Sequence, residues 1–115
     1  MDSFFFDIAL PRLQSLASLG ASITTELACK CDIVVIRKSA KRIEVIYEPY
    51  GPPFCVVKSG DEYLKRIEVG VQFPSAQRMC GGDKTTAALQ ALQDDLHSYI
   101  DALYPMLEDE LRQKA

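Results

Sequence analysis

The stretch Arg42–Glu48, with the sequence RIEVIYE, decides the fold prediction. Its apolar residues alternate with charged ones, with Ile43, Val45 and Tyr47 set against Arg42, Glu44 and Glu48. A period of two is that of a β-strand, since successive side chains of a strand point to opposite faces of the sheet. We therefore predict a strand here, with one face on the core and one face toward water.

Three neighbouring stretches are also predicted to be strands. Ile33–Ile36 is a continuous apolar run, Phe54–Lys58 is short and mostly apolar, and Leu64–Phe73 alternates again. The connections between them are short and most are rich in turn residues, which favours antiparallel hairpins. Together with Arg42–Glu48 they predict a four-stranded antiparallel meander over residues 32–73.

The N-terminal part is predicted to be helical. Apolar residues recur at helical spacing up to Leu19, and Gly20 is a suitable stop. Pro11 fits the first turn of a helix, so the helix either starts at Ser3 and kinks or begins near Asp7 or Leu10, and we favour the late start. In that case Phe4–Phe6 precedes it as an extended arm.

Ser22–Lys30 allows two interpretations. Ser22 and the following residues can open a second short helix, whereas the β-branched run Ile23-Thr24-Thr25 suits a strand. We predict the short helix, which gives one or two N-terminal helices over residues 1–31.

The last third of the chain predicts one long helix over residues 83–113. Its apolar residues recur at alternating steps of three and four, Asp83 is a good N-cap, and Pro105 should bend or end the first part. The chain is thus expected to be a single α+β domain, residues 1–115, with the long C-terminal helix packed on the sheet.

Composition excludes several classes of function. The chain has 115 residues and a formal net charge of −3, and this acidic balance argues against nucleic-acid binding, because non-specific affinity for nucleic acid comes from clustered Lys and Arg that neutralise phosphates. No apolar run approaches the roughly 20 residues that span a bilayer, and no cationic N-terminal signal precedes an apolar segment. We therefore expect a cytoplasmic protein without membrane contact, with its four cysteines reduced.

Residues for catalysis or metal binding are sparse. His97 is the single histidine, and Asp94 and Asp101 share its flank of the last helix, so these three are weak candidates for a metal site. Ordinary pairing on a solvated helix surface explains them better. Cys29, Cys31, Cys55 and Cys80 lack the paired spacing of a zinc site. We predict no cofactor, no metal, no catalytic residues and no enzymatic activity.

Two aromatic features favour binding to another protein. Tyr50 lies beside Pro52 and Pro53 in a stiff connection, and Phe5 belongs to a run of three phenylalanines that cannot all face one core. We predict a non-catalytic interaction module of the adaptor, chaperone or inhibitor type, and a homodimer through the last helix or a sheet edge. The alternatives are a small-ligand pocket between the C-terminal helix and the sheet and, less favoured, a metal- or thiol-dependent enzyme.

Overall fold

A computed structural model describes residues 4–48, 52–75 and 86–113. The elements in chain order are α1 (Phe4–Leu13), a 3₁₀ helix (Gln14–Leu19), β1 (Ser22–Ala28), β2 (Cys31–Lys38), β3 (Lys41–Tyr47), β4 (Phe54–Ser59), β5 (Glu62–Ile67) and α2 (Thr86–Arg112). The predicted α+β class and the antiparallel sheet are confirmed.

The sheet is a meander of five strands in the order β1-β2-β3-β4-β5, in which every neighbouring pair is antiparallel. Its register aligns Val34 with Val45, Val45 with Cys55 and Cys55 with Ile67. This row faces the helices, because its β2, β3 and β4 members belong to one buried cluster with residues of α1 and α2. Both helices therefore cover the same face of the sheet.

The prediction of four strands was wrong, because Ser22–Ala28 is a strand and not a helix. It forms a hairpin with β2 in which Ala28 pairs with Cys31. The two residues of the turn, Cys29 and Lys30, have φ of 52° and 66°. Such turns usually carry Gly or Asn, since other side chains are strained at positive φ. Because Cys29 and Lys30 are neither Gly nor Asn, no residue pair in this stretch indicates a hairpin turn.

The last predicted strand was too long. β5 ends at Ile67, whereas alternation of apolar residues continues to Phe73. Ile67 pairs with Cys55, the second residue of β4, so β4 has almost no residues left to pair beyond it. Val69, Val71 and Phe73 still pack against the core, and the side-chain alternation therefore persists without strand pairing.

The N-terminal helix begins earlier than predicted. α1 starts at Phe4 and contains Pro11, so the expected extended arm over Phe4–Phe6 is wrong. Pro11 is exposed, and water can therefore solvate the backbone carbonyl that its missing N–H leaves free. The chain tightens into the 3₁₀ helix soon after this residue and stops at Gly20, whose φ is 88°.

α2 runs through Pro105 to Arg112 without ending there. Pro105 is exposed, so the carbonyl that it frees faces water. The helix packs beside α1 through Tyr104, whose ring lies 3.9 Å from the Arg12 guanidinium and whose Oη lies 2.7 Å from Ser15 Oγ. None of the helices in the described part of the chain is long and apolar enough to span a membrane.

Lysines from the sheet anchor the C-terminal end of α2. Lys38 Nζ donates to the carbonyl of Leu111 at 2.9 Å, and Lys41 Nζ donates to the carbonyl of Glu110 at 2.7 Å. These are carbonyls that the last turn of a helix leaves without intrahelical partners. The Glu110 side chain also contacts Lys41 Nζ at 3.4 Å and Lys65 Nζ at 2.8 Å. The end of the helix is thus fixed to three strands.

Candidate functional site

Strand β1 forms one edge of the sheet, and no other strand in the described part of the chain pairs with its outer side. Six of its seven residues are exposed, and the exception, Ile23, is half-buried. Leu27 is 75% exposed, the largest value among the exposed large hydrophobic side chains of the described residues. β1 is therefore accessible both along its backbone and at an apolar side chain.

The hairpin geometry decides which backbone groups of β1 face outward. In a two-residue hairpin the flanking pair, here Ala28 and Cys31, is hydrogen-bonded, and bonded and non-bonded pairs then alternate along the strands. Ile23, Thr25 and Leu27 therefore direct their N–H and C=O groups away from β2. Each of these three residues offers one donor and one acceptor to another strand.

The opposite edge of the sheet is protected in ways that β1 is not. β5 has a register shift against β4 between Val57 and Lys58, and three of its six residues, Glu62, Lys65 and Arg66, are charged. Bulges and charged side chains are the usual means by which proteins block pairing at a sheet edge. β1 carries a single charge, Glu26, and has neither Pro nor Gly. The two edges thus differ in their capacity to accept a strand.

The charge on β1 is already neutralised. Glu26 contacts Arg37 at 3.5 Å and Arg42 at 3.1 Å on the face of the sheet away from the helices. Glu44, which is buried on the same face, receives bonds from Arg42 Nε at 2.6 Å and Lys58 Nζ. Burial raises the pKa of Glu44, but the bonds from Arg42 and Lys58 outweigh it and hold the pKa below its ordinary value. The network leaves β1 without an unpaired charge that would oppose an apolar partner.

The residues predicted for partner binding are not brought together at β1. Phe5 is fully buried and stacks on Tyr47, with ring centroids 5.0 Å apart and the planes inclined by 13°. Phe5 is thus a core residue in this structure and not an exposed anchor. Pro52 is exposed and Pro53 buried, and both line a cavity at the other end of the sheet. Tyr50 lies outside the described residues.

The weak metal candidates lie on the exposed side of α2. Asp94 accepts a hydrogen bond from Gln90 at 3.0 Å, Asp101 pairs with Arg12 at 3.7 Å, and His97 is exposed. Within residues 4–48, 52–75 and 86–113, no group of three or more His, Cys, Asp or Glu side chains is placed to hold a metal ion.

The cysteines are dispersed. Cys29 is exposed in the β1–β2 turn, and Cys31 donates to the carbonyl of Cys29 at 3.6 Å. Cys55 is buried in the core, and burial strongly raises the pKa of its thiol. Cys80 lies outside the described residues. The three described cysteines are free thiols.

The edge strand Ser22–Ala28 was predicted as a short helix, although its sequence also carries one indication of a strand. The β-branched run Ile23-Thr24-Thr25 is typical of a strand, but the turn that follows carries no hairpin residues. Comparison of the chain with protein-family models, with curated proteins and with solved structures gives no match in any of the three.

Proposed function

We propose that this protein is a non-catalytic interaction module that binds an extended segment of another protein as a sixth strand along β1. The observation that carries the proposal is the unprotected edge formed by Ser22–Ala28. In strand addition, main-chain hydrogen bonds supply affinity and alternate side chains supply selectivity. Ile23, Thr25 and Leu27 provide the required donors and acceptors.

The side chains of β1 indicate the chemistry of the segment. Ile23, Thr25 and Leu27 lie on the helix side of the sheet, since Ile23 pairs with Ile36 and Thr25 with Val34. An added strand with apolar residues at every second position would cover the exposed Leu27 side chain. Its other positions would lie beside Thr24 and Glu26, which favours polar residues there. The expected partner segment is therefore extended and alternates apolar with polar residues.

A second copy of this chain also fits that description, because β1 has the same alternation. Stable protein–protein interfaces, however, bury roughly 1,200 Å² or more, whereas main-chain pairing along the seven residues of β1 suits a segment that binds reversibly. Reversible capture of an extended segment does not require so large an interface. We therefore favour a different protein as the occupant, and homodimerisation remains the alternative that the experiment must distinguish.

The test uses short peptides selected by display on the purified protein, followed by affinity measurements on matched variants. Thr25→Pro removes an outward N–H that the β1–β2 ladder does not use, whereas Thr25→Ala removes the same side chain and keeps the N–H. We expect the selected peptides to alternate in polarity, to bind Thr25→Ala like the wild type, and to bind Thr25→Pro about tenfold or more weakly.

Two controls complete the test. Leu27→Lys adds a charge at an exposed side chain, so it should preserve folding and still weaken binding. Thermal unfolding of each variant establishes that the loss does not come from misfolding. Peptides that bind Thr25→Pro as tightly as Thr25→Ala would contradict the proposal. A dimeric wild type and a monomeric Thr25→Pro variant in sedimentation, both without peptide, would also contradict it. The occupant of β1 would then be a second copy of the chain.

A further inference from the structure

Three cations lie in one row across the open face of the sheet, the face away from the helices. The register pairs Arg37 of β2 with Arg42 of β3, and Arg42 with Lys58 of β4. Like charges directly opposite each other on neighbouring strands are destabilising. The carboxylates that contact this row in the described part of the chain are Glu26 and Glu44. Three positive charges thus face two negative ones, which leaves an excess of one positive charge.

The excess charge lies at Arg37, the cation of the row nearest to β1. Nitrogens of Arg42 and Lys58 lie 2.6 Å and 3.2 Å from Glu44, and the two side chains are 24% and 30% exposed. Arg37 is 43% exposed and contacts Glu26 at 3.5 Å, whereas Arg42 contacts the same carboxylate at 3.1 Å. Arg37 is therefore the least neutralised cation of the three.

Asp61 does not change this balance. It lines a cavity together with Arg37 and Arg42, at the turn between β4 and β5. Among the residues that the structure describes, the two arginines form their ion pairs with Glu26 and Glu44 and none with Asp61. The excess charge at Arg37 is thus available to a partner.

The Arg37 side chain extends toward the edge at which a strand would be added. Its Nη1 atom donates to Thr24 Oγ1 at 3.3 Å, so the guanidinium lies beside the Thr24 side chain on the open face. Thr24 uses its own N–H and C=O for β2, so an antiparallel added strand would meet it as a non-hydrogen-bonded pair. In such pairs the opposing Cβ atoms lie about 4.5–5.5 Å apart. A side chain opposite Thr24 is therefore within reach of Arg37.

We propose that the segment captured along β1 carries an acidic residue, Asp or Glu, directly opposite Thr24, where its carboxylate pairs with Arg37. This inference rests on the proposed function and names the chemistry of the partner. A second acid opposite Glu26, two positions along, is disfavoured because like charges would face each other. The acidic residue therefore fixes the register of the partner on β1.

A second copy of the chain does not supply this acid in the required state. Antiparallel pairing of two β1 strands centred on Thr25 would place Glu26 of one copy opposite Thr24 of the other. That Glu26 is already held by Arg37 and Arg42 of its own copy. Two networks that each have an excess positive charge would then lie side by side and repel each other. The charge balance therefore favours a different protein as the occupant.

The test is a display selection on the purified full chain. The library holds peptides of the length of β1 in which every second residue is Val and the other positions are randomised. We expect Asp and Glu together to be enriched about three- to fivefold at one randomised position of the aligned peptides, as a partly exposed ion pair would give. Arg37→Gln should still select Val-alternating peptides, because the backbone of β1 is unchanged, but without the acidic enrichment.

Arg66→Gln is the matched control. It removes the same charge from the same face of the sheet, but it lies on β5, the strand farthest from β1. Its side chain is 52% exposed and pairs with Glu68 at 3.3 Å, so the substitution should preserve folding. We expect this variant to keep the acidic enrichment, and thermal unfolding establishes that both variants are folded.

The outcomes separate this inference from strand addition itself. Acidic residues that are not enriched over the unselected library, or are enriched equally on Arg37→Gln, would overturn the inference and leave strand addition intact. Loss of the enrichment on Arg66→Gln as well would also contradict it, because the acids would then follow net charge. A wild type that selects no alternating peptides, or the same peptides as Thr25→Pro, would overturn strand addition and this inference with it.

Discussion

Glu110 allows a quantitative test of how α2 is held on the sheet. Its side chain is 8% exposed and contacts Lys41, which is 11% exposed, at 3.4 Å, and Lys65, which is 51% exposed, at 2.8 Å. Glu110→Gln keeps the shape of the side chain and removes its charge. The change should therefore weaken both contacts without opening a cavity.

The magnitude follows from the burial of each pair. A buried hydrogen bond to a charged group contributes about 1.5–3 kcal/mol, which applies to Lys41, whereas the half-exposed Lys65 pair contributes roughly 0.5 kcal/mol. Lys41 Nζ retains its bond to the Glu110 carbonyl at 2.7 Å in the variant, so the loss should be at the low end. We expect Glu110→Gln to lower the free energy of unfolding by about 2 kcal/mol, or the Tm by about 8 °C.

The assay is urea unfolding at neutral pH, with Glu108→Gln as the matched control. Glu108 lies on the same helix and pairs with Arg112 at 3.6 Å, a surface contact worth about 0.3–0.5 kcal/mol. Both substitutions remove a negative charge near the C-terminal end of α2, so the helix-dipole contribution largely cancels between them. Equal stability of the two variants would refute the assignment of Glu110 as a buried anchor.

The difference in the free energy of unfolding between the wild type and Glu110→Gln should also depend on pH, in a direction that follows from the pKa of Glu110. Burial raises the pKa of Glu110, but its bonds to Lys65 and Lys41 outweigh burial and hold the pKa below its ordinary value of 4.5. Its stabilising contribution is therefore complete above the ordinary pKa and is lost as the pH falls through the lower pKa of the folded state. The stability gap between wild type and Glu110→Gln should shrink in acid, and a gap that is constant down to full protonation would contradict the explanation.

Three further measurements test other parts of the structure. In hydrogen exchange of the protein without a partner, the amide of Thr25 should exchange much faster than the amide of Thr24, because only the Thr24 amide faces β2. Equal protection of the two amides would contradict the hairpin register. Lys30→Gly, at φ 66°, should stabilise the protein by about 1 kcal/mol in urea unfolding, and a loss of stability would contradict the strained turn. A maleimide should label the exposed Cys29 in the native protein and the buried Cys55 only when the protein unfolds, as followed by peptide mass spectrometry. Labelling of Cys55 as rapid as that of Cys29 would contradict its place in the core.

Periodicity predicted the elements in which apolar side chains recur at a regular spacing, although Glu44, on the face of β3 that we expected to meet water, is buried. Arg42–Glu48 and the stripe of α2 have unambiguous periods, and the structure confirms both as a strand and a helix. Phe54–Lys58 also agrees, because an apolar run between turn residues is typical of a buried strand. These elements are specified by the spacing of apolar residues that are close together in the chain, and this spacing can be read directly from the sequence.

The missed features depend on partners that are distant in sequence or on rare backbone conformations. β1 was missed because Cys29 and Lys30 adopt positive φ without being Gly or Asn. The end of β5 depends on where β4 begins, and Phe5 is buried because Tyr47 lies beneath it. The cavity that Pro52 and Pro53 line likewise requires the ends of two strands, an extended segment and a helix to meet, which no single window of sequence indicates.

The packing of α1 against α2, in which the Arg12 guanidinium lies over the Tyr104 ring, has a consequence for synthesis on the ribosome. The chain is made from its N-terminus, so α1 and all five strands are synthesised before the helix that covers them. Until α2 is released, only α1 can cover the apolar face of the sheet, and the buried residues that pack on α2 stay exposed. The nascent chain should therefore depend on holding factors during that interval, and messages that stall before α2 is translated should yield aggregated product.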